Sequence, residues 1–186
     1  MGSPQLDAAI ELARADDYAQ AVEQLSSLIE GMLSHEDKIT ARRWRSVCNG
    51  QLGHLSEALT DANWLIDQGC DELHAWRAHI RERLRDFEGA IVDYSYAIAD
   101  TSDKPDAEQY QLFLKRGHAY FLIKRYSDAL ADFTTALSFA DQPRLREAAH
   151  IWRGNTYIEL DDLKAAAEEF RTAEAIARAS GTNSLV

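Results

Sequence analysis

Along most of this chain apolar and small residues recur every three or four positions, the spacing that gives a helix one buried face, and the recurrence itself repeats. Residues 115–137 read KRGHAYFLIKRYSDALADFTTAL, and from Arg153 the chain reads RGNTYIELDDLKAAAEEFRTA. With Tyr110 as position 1, Gly117 takes position 8, Tyr120 position 11, Ala129 position 20, Phe133 position 24 and Ala136 position 27. A unit begun at Glu147 places Gly154, Tyr157, Ala166, Phe170 and Ala173 at the same five positions. From Asp71 the set is Ala78, Arg81, Ala90, Tyr94 and Ala97; from Ile39 it is Ser46, Asn49, Ala58, Ala62 and Leu65. From Gly2 it is Ala9, Leu12, Ala21, Leu25 and Leu28. Position 17 is apolar in every unit: Tyr18, Leu55, Phe87, Tyr126 and Leu163.

Each unit predicts two amphipathic helices joined by a short turn at position 17. Small side chains at positions 8 and 20 let the two backbones approach, and the larger ones at 11 and 24 fill the space beside that contact. A single hairpin cannot bury its apolar face, so the units are expected to stack and share a continuous core. Polar connections hold Pro105 and Pro143, where the helices should break.

This pattern resembles the tetratricopeptide repeat, a helix–turn–helix unit with a period of about 34 residues. The units near 2, 39, 71, 110 and 147 are 37, 32, 39 and 37 residues apart, so the connections vary in length. The last two units carry the resemblance most fully and the first two are degenerate. The resemblance implies an all-α fold: a right-handed α-solenoid of about five hairpins, one array over residues 1–186, with a disordered tail at 180–186.

It also implies that the first helix of each hairpin lines a concave face that meets ligands at positions 2, 5, 6, 9, 12 and 13. Those positions supply Arg43, Trp44, Val47 and Gln51, then Ala75, Trp76, His79, Glu82 and Arg83. The last two units add Leu114, Lys115, His118, Phe121 and Leu122, then Ile151, Trp152, Asn155, Ile158 and Glu159. The C-terminal half of this surface is largely apolar, which argues for an occupant. Trp44, Trp76 and Trp152 share position 6. They are either anchors for a peptide or packing between neighbouring helices. Co-chaperones of this family that grip a C-terminal carboxylate use Lys at position 5 and Asn at position 9. Here position 5 holds Arg43, Ala75, Leu114 and Ile151, and only Asn155 matches at position 9, so that ligand is rejected.

Charge refines the picture. The first helices of the middle units are rich in Arg and Lys, the second in Asp and Glu, so a basic inner face suits an acidic ligand. Position 7, however, is Arg45, Arg77, Arg116 and Arg153, and position 23 is Asp61, Asp93, Asp132 and Glu169. That pairing predicts a salt bridge joining the two helices of each hairpin. Arg43 and Arg83 then remain as candidates for ligand contact, with Arg42 and Lys115 behind them.

Over the whole chain the formal net charge is −11, which disfavours nucleic acid. Cys48 and Cys70 have no metal-ligand spacing and are expected to be reduced thiols in a cytoplasmic protein. Residues 1–18 lack the basic and apolar regions of a signal peptide. Leu6 stands where a myristoylation motif needs Ser or Thr, Met1–Ser3 could be an expression scar, and no apolar run is long enough for a membrane. No phosphate loop or catalytic motif is present. His79 and His118 share position 9 without a third ligand, and Asp16, Asp17, Asp161 and Asp162 fall at turns where acids favour helix N-termini. No enzyme activity, cofactor or metal is expected.

The expected function is therefore binding of a peptide or helical segment of a partner protein, with acidic and apolar residues, in the concave groove. Two other expectations stand beside it. One is a dedicated chaperone or inhibitor of a single partner. The other is an assembly module, for instance a homodimer, that binds through the C-terminal end around Phe170, Ala173 and Ile176, where no polar cap follows.

Overall fold

A change of backbone hand at position 15 closes the first helix of every repeat. Asp16, Gly53, Arg85, Lys124 and Asp161 occupy that position, and all five have φ between 61° and 82°. In each, the N–H of position 16 bonds the carbonyl of position 11, as from Asp17 to Leu12 at 2.9 Å and from Arg125 to Tyr120 at 2.9 Å. The N–H of position 15 bonds the carbonyl of position 12, as from Lys124 to Phe121 at 3.0 Å. This paired closure satisfies the carbonyls left over at a helix C-terminus. Only Gly53 adopts the left-handed conformation without steric cost; the other four positions hold Asp, Arg or Lys.

The computed structural model describes residues 3–100 and 105–181, and these contain ten α-helices, a short 3-10 turn and no strand. The helices are α1 (Pro4–Arg14), α2 (Tyr18–Glu30), α3 (His35–Leu52), α4 (Leu55–Asp67), α5 (His74–Arg83), α6 (Phe87–Ala99), α7 (Asp106–Leu122), α8 (Tyr126–Ser138), α9 (Pro143–Glu159) and α10 (Leu163–Ser180), with the 3-10 turn at Asp71–Leu73. The five apolar residues at position 17 are the first residues of α2, α4, α6, α8 and α10. Three first helices start four residues before the predicted unit: α3 at His35, α7 at Asp106 and α9 at Pro143. Their start signals are a Ser34 hydroxyl accepting from the Asp37 N–H, Pro105 as the capping residue, and Pro143 at the first helical position, all usual at helix N-termini. Of the expected disordered tail, Ser180 ends α10 and Gly181 caps it; residues 182–186 lie outside the described residues, as do Met1 and Gly2.

The chain forms two units, 1–86 and 87–186. In the first, α1 to α5 pack in chain order, and α1 also meets α3. Its core joins Leu6, Ile10, Leu25 and Ile29 to Ala41 and Cys48, and burial pushes the Cys48 thiol up from its ordinary pKa. In the second unit α6 to α10 pack successively. Gly117 lies so close to Phe133 that a Cβ would stand 2.7 Å from the ring, and Gly154 meets Phe170 at the same distance. The small residue at position 8 and the ring at position 24 thus meet as the spacing predicts.

Candidate functional site

Three described hairpins show the predicted bridge between position 7 and position 23. Arg45 grips Asp61 with two bonds of 2.7 and 2.8 Å, and Arg116 grips Asp132 with two of 2.8 Å. The carboxylates are 1% and 5% exposed, so the pairs hold charge away from water and need this complete geometry. The bond to its carboxylate raises the pKa of each guanidinium further, against the opposing effect of burial. A third nitrogen reaches back to position 25 of the preceding hairpin: Arg45 to Ser26 at 3.0 Å and Arg116 to Ser95 at 3.0 Å. Arg77 likewise reaches Asn63, at 3.1 Å. The arginine therefore ties both its own hairpin and its neighbour. In the last hairpin Glu169 replaces Asp. Its longer arm is shared by Arg153 at 2.8 Å and His150 at 2.7 Å, and the buried Arg153 Nε is left without a hydrogen bond.

The tryptophans at position 6 pack on the preceding hairpin. Trp44 joins the core of α1, α2 and α3 beneath the Arg14 guanidinium, 5.7 Å away. Trp76 abuts Gly50, where a Cβ would stand 2.8 Å from its ring. Its indole N–H donates to Ser46 Oγ at 2.9 Å, and the Ser46 hydroxyl donates to the Ala58 carbonyl. Trp152 stacks on Phe133 at 5.8 Å and meets the edges of Phe121 and His118 at 5.9 and 4.8 Å. All three are half-buried, so each combines a packing role with a remaining exposed edge.

All three candidate arginines have partners within the first unit. Arg43 pairs with Glu72; burial pushes the Glu72 carboxyl upward, but the bond from Arg43 prevails and holds it below its usual range. Arg83 donates to the Gly50 carbonyl at 2.6 Å, on the last turn of α3, where a cation is favoured. Arg42 bonds Asp61 at 2.7 Å and covers Trp64 at 4.6 Å. Val47 is half-buried and Gln51 exposed on α3; on α5, Ala75 is half-buried and His79 lies 5.9 Å from Trp76 and 4.0 Å from Glu82.

On α7 and α9 the candidates form a different surface. Leu122, Ile151 and Ile158 are exposed. Leu114, Lys115, His118, Phe121, Trp152 and Asn155 are half-buried among them, and Lys115 makes no ion pair among the described residues. Glu159 accepts from the Tyr126 hydroxyl at 2.8 Å, which raises the Tyr126 pKa.

Asp17 and Asp162 accept from the N–H groups of Gln20 and Ala165, as helix caps do. Among the described residues no group of three metal-ligating side chains is present, and no helix is long and apolar enough to cross a membrane. Sequence reasoning passed over an open cavity of about 300 Å³ lined by Val22, Ser26, Arg45, Asn49, His54, Glu57 and Thr60. The available signal was Asn49, an amide at position 11, where the last two units carry tyrosine.

Residues 148–180 match the tetratricopeptide repeat, and in sequence comparison no curated protein matches the chain. Among solved structures, a MamA protein superposes with a TM-score of 0.82 at 12% identity, covering 98% of this chain and 94% of that one. MamA from Desulfovibrio magneticus RS-1 gives 0.78 at 14%, covering 96% and 98%. BtubC from P. vanneervenii gives 0.73 at 17%, covering 96% and 80%. At such identities the likeness is one of fold: an all-α solenoid of helical hairpins. Residues 148–180 are therefore a tetratricopeptide repeat, set in an all-α array of helical hairpins.

Proposed function

We propose that this protein is a non-catalytic interaction module that holds a peptide or helical segment of a partner protein against the first helices of its hairpins. The observation that carries this reading is the α7–α9 surface, where Leu122 at 40%, Ile151 at 38% and Ile158 at 47% exposure lie on one set of repeat positions. Burying such a cluster under a partner is favourable by about 25 cal/mol for each Å² of apolar surface removed from water. Lys115 supplies a cation beside it, suited to an acidic residue in the bound segment. On the first unit, Arg43 and Arg83 would have to exchange Glu72 and the Gly50 carbonyl for a ligand group, so their contribution is smaller than that of Lys115.

The test compares the wild-type chain with Leu122→Asp, Ile151→Asp and Ile158→Asp in affinity purification from native lysate, with circular dichroism to verify folding. Loss of one defined partner from all three folded variants supports the reading. Unchanged recovery in all three rules the surface out.

A second reading, assembly through the C-terminal end, rests on a specific difference. Phe133 is fully buried beneath Trp152, whereas its counterpart Phe170 is only half-buried. Leu163 is 64% exposed, and Ile176 lines a cavity of about 180 Å³ with Pro143 and Arg146. Size-exclusion chromatography with light scattering separates the readings: a concentration-dependent dimer abolished by Phe170→Asp favours the end.

A further inference from the structure

The cavity in the first unit has a filled counterpart in the second. Each lining residue corresponds, position for position, to one on the second unit: Arg45 to Arg116, His54 to Arg125, Glu57 to Asp128 and Ser26 to Ser95. Val22 and Thr60 correspond to Ile91 and Ala131. The walls are built alike, since Arg45 and Arg116 hold the same Asp and the same Ser by the same atoms. What differs is position 11. There Tyr120 places its ring between two guanidiniums, 5.9 Å from Arg116 and 4.7 Å from Arg125, and Asp128 holds Arg125 at 2.7 Å. In the first unit that position is Asn49, and the space a ring would take is open. Asn49 is 3% exposed and lines the cavity, where its side-chain amide is open to solvent.

We infer that the cavity lined by Arg45, Asn49, His54 and Glu57 is a binding slot for a para-substituted phenol, either the side chain of a partner's tyrosine or a free phenolic molecule. The ring takes the place of the Tyr120 ring, with Arg45 on one flank, where a cation over an aromatic face is favourable, and His54 on the other. It enters hydroxyl first, so that the hydroxyl meets the Asn49 amide and the para substituent points to solvent. A ring lacking the hydroxyl would leave that amide unpaired and bind less well. The slot belongs to α2, α3 and α4 and is independent of the surface on α7 and α9.

The test is a titration of the isotope-labelled full chain with 4-methylphenol, followed by NMR of the Asn49 side-chain amide. A ligand of this size is expected to bind with a Kd on the order of 1 mM, and toluene about threefold to tenfold more weakly. N-acetyltyrosinamide distinguishes the sources: bound as well as 4-methylphenol, it assigns the slot to a tyrosine side chain; excluded, it assigns it to a free phenol. Asn49→Tyr fills the slot from within and should abolish binding. Thr60→Trp, on the exposed rim, does the same should the first variant fail to fold. Absence of a saturable shift with 4-methylphenol, or undiminished binding by a folded Asn49→Tyr or Thr60→Trp variant, overturns the inference.

Discussion

The hairpin α3–α4 and the hairpin α7–α8 use one clamp and two fillings. In both, an arginine at position 7 holds an aspartate at position 23 with two bonds and reaches back to a serine. In α7–α8, Gly117 admits Phe133 and position 11 is Tyr120. In α3–α4, the corresponding residues are Ser46, Ala62 and Asn49, and the gap at position 8 is bridged by a polar chain from Trp76 through Ser46 to the Ala58 carbonyl. The comparison teaches that the ionic clamp persists while the apolar filling changes from aromatic packing to hydrogen bonding, and that a cavity opens where the ring is lost.

The largest effect should come from breaking the clamp. Asp61→Ala strands both Arg42 and Arg45, Asp132→Ala strands Arg116 alone, and each should cost about 3–5 kcal/mol, the former more, as read by urea unfolding. Phe133→Ala should cost about 3–5 kcal/mol as well. Because it also uncovers Trp152, it should shift that indole's fluorescence to the red, whereas Ala62→Gly in α4 should leave it unchanged. Gly117→Ala forces a Cβ into the Phe133 ring and should cost about 1–3 kcal/mol in thermal or urea unfolding. The smallest effects belong to the turns: Lys124→Gly relieves a left-handed residue and should stabilise by about 0.5–1 kcal/mol, whereas Gly53→Ala at the same position should destabilise by a similar amount.

A pH experiment sharpens the comparison at position 1, which is Tyr110 in one hairpin and Ile39 in the other. Tyr110 donates to the Leu145 carbonyl at 2.8 Å, and burial pushes its pKa up to about 12. The unfolded phenol loses its proton near 10. The stabilisation is therefore fully present below that pH and is lost as pH rises from about 10 towards about 12. Tyr110→Phe should flatten this alkaline limb in denaturation curves without altering stability changes at acid pH.

Much of the fold was legible because it rests on side-chain size at fixed spacing. The apolar residue expected at the turn proves to be the first residue of each second helix, with the turn itself at positions 15 and 16, and the Gly–Phe contacts follow from positions 8 and 24. The Arg–Asp clamps were readable because opposite charges recur in register. The early starts of α3, α7 and α9 were not read because HEDK, DAEQ and PRLR are polar and add nothing to the periodic pattern, although Ser34, Pro105 and Pro143 marked the entries. The left-handed turns escaped notice because Asp16, Arg85, Lys124 and Asp161 are not glycine; their conformation is imposed by the closure of the hairpin. At the candidate site, Arg43 and Arg83 looked available for ligand because their partners, a residue in a connection and a backbone carbonyl, leave no mark at the repeat positions.

The central claim, that α7 and α9 present an inner surface to a partner segment, is tested most directly by site-specific photocrosslinking. A benzophenone side chain placed in turn at Leu122, Ile151 and Ile158 should trap one and the same protein from native lysate, whereas placement at Thr134 or Glu168, on the second helices, should not. Equal trapping at all five positions, or none at the three on α7 and α9, would contradict it.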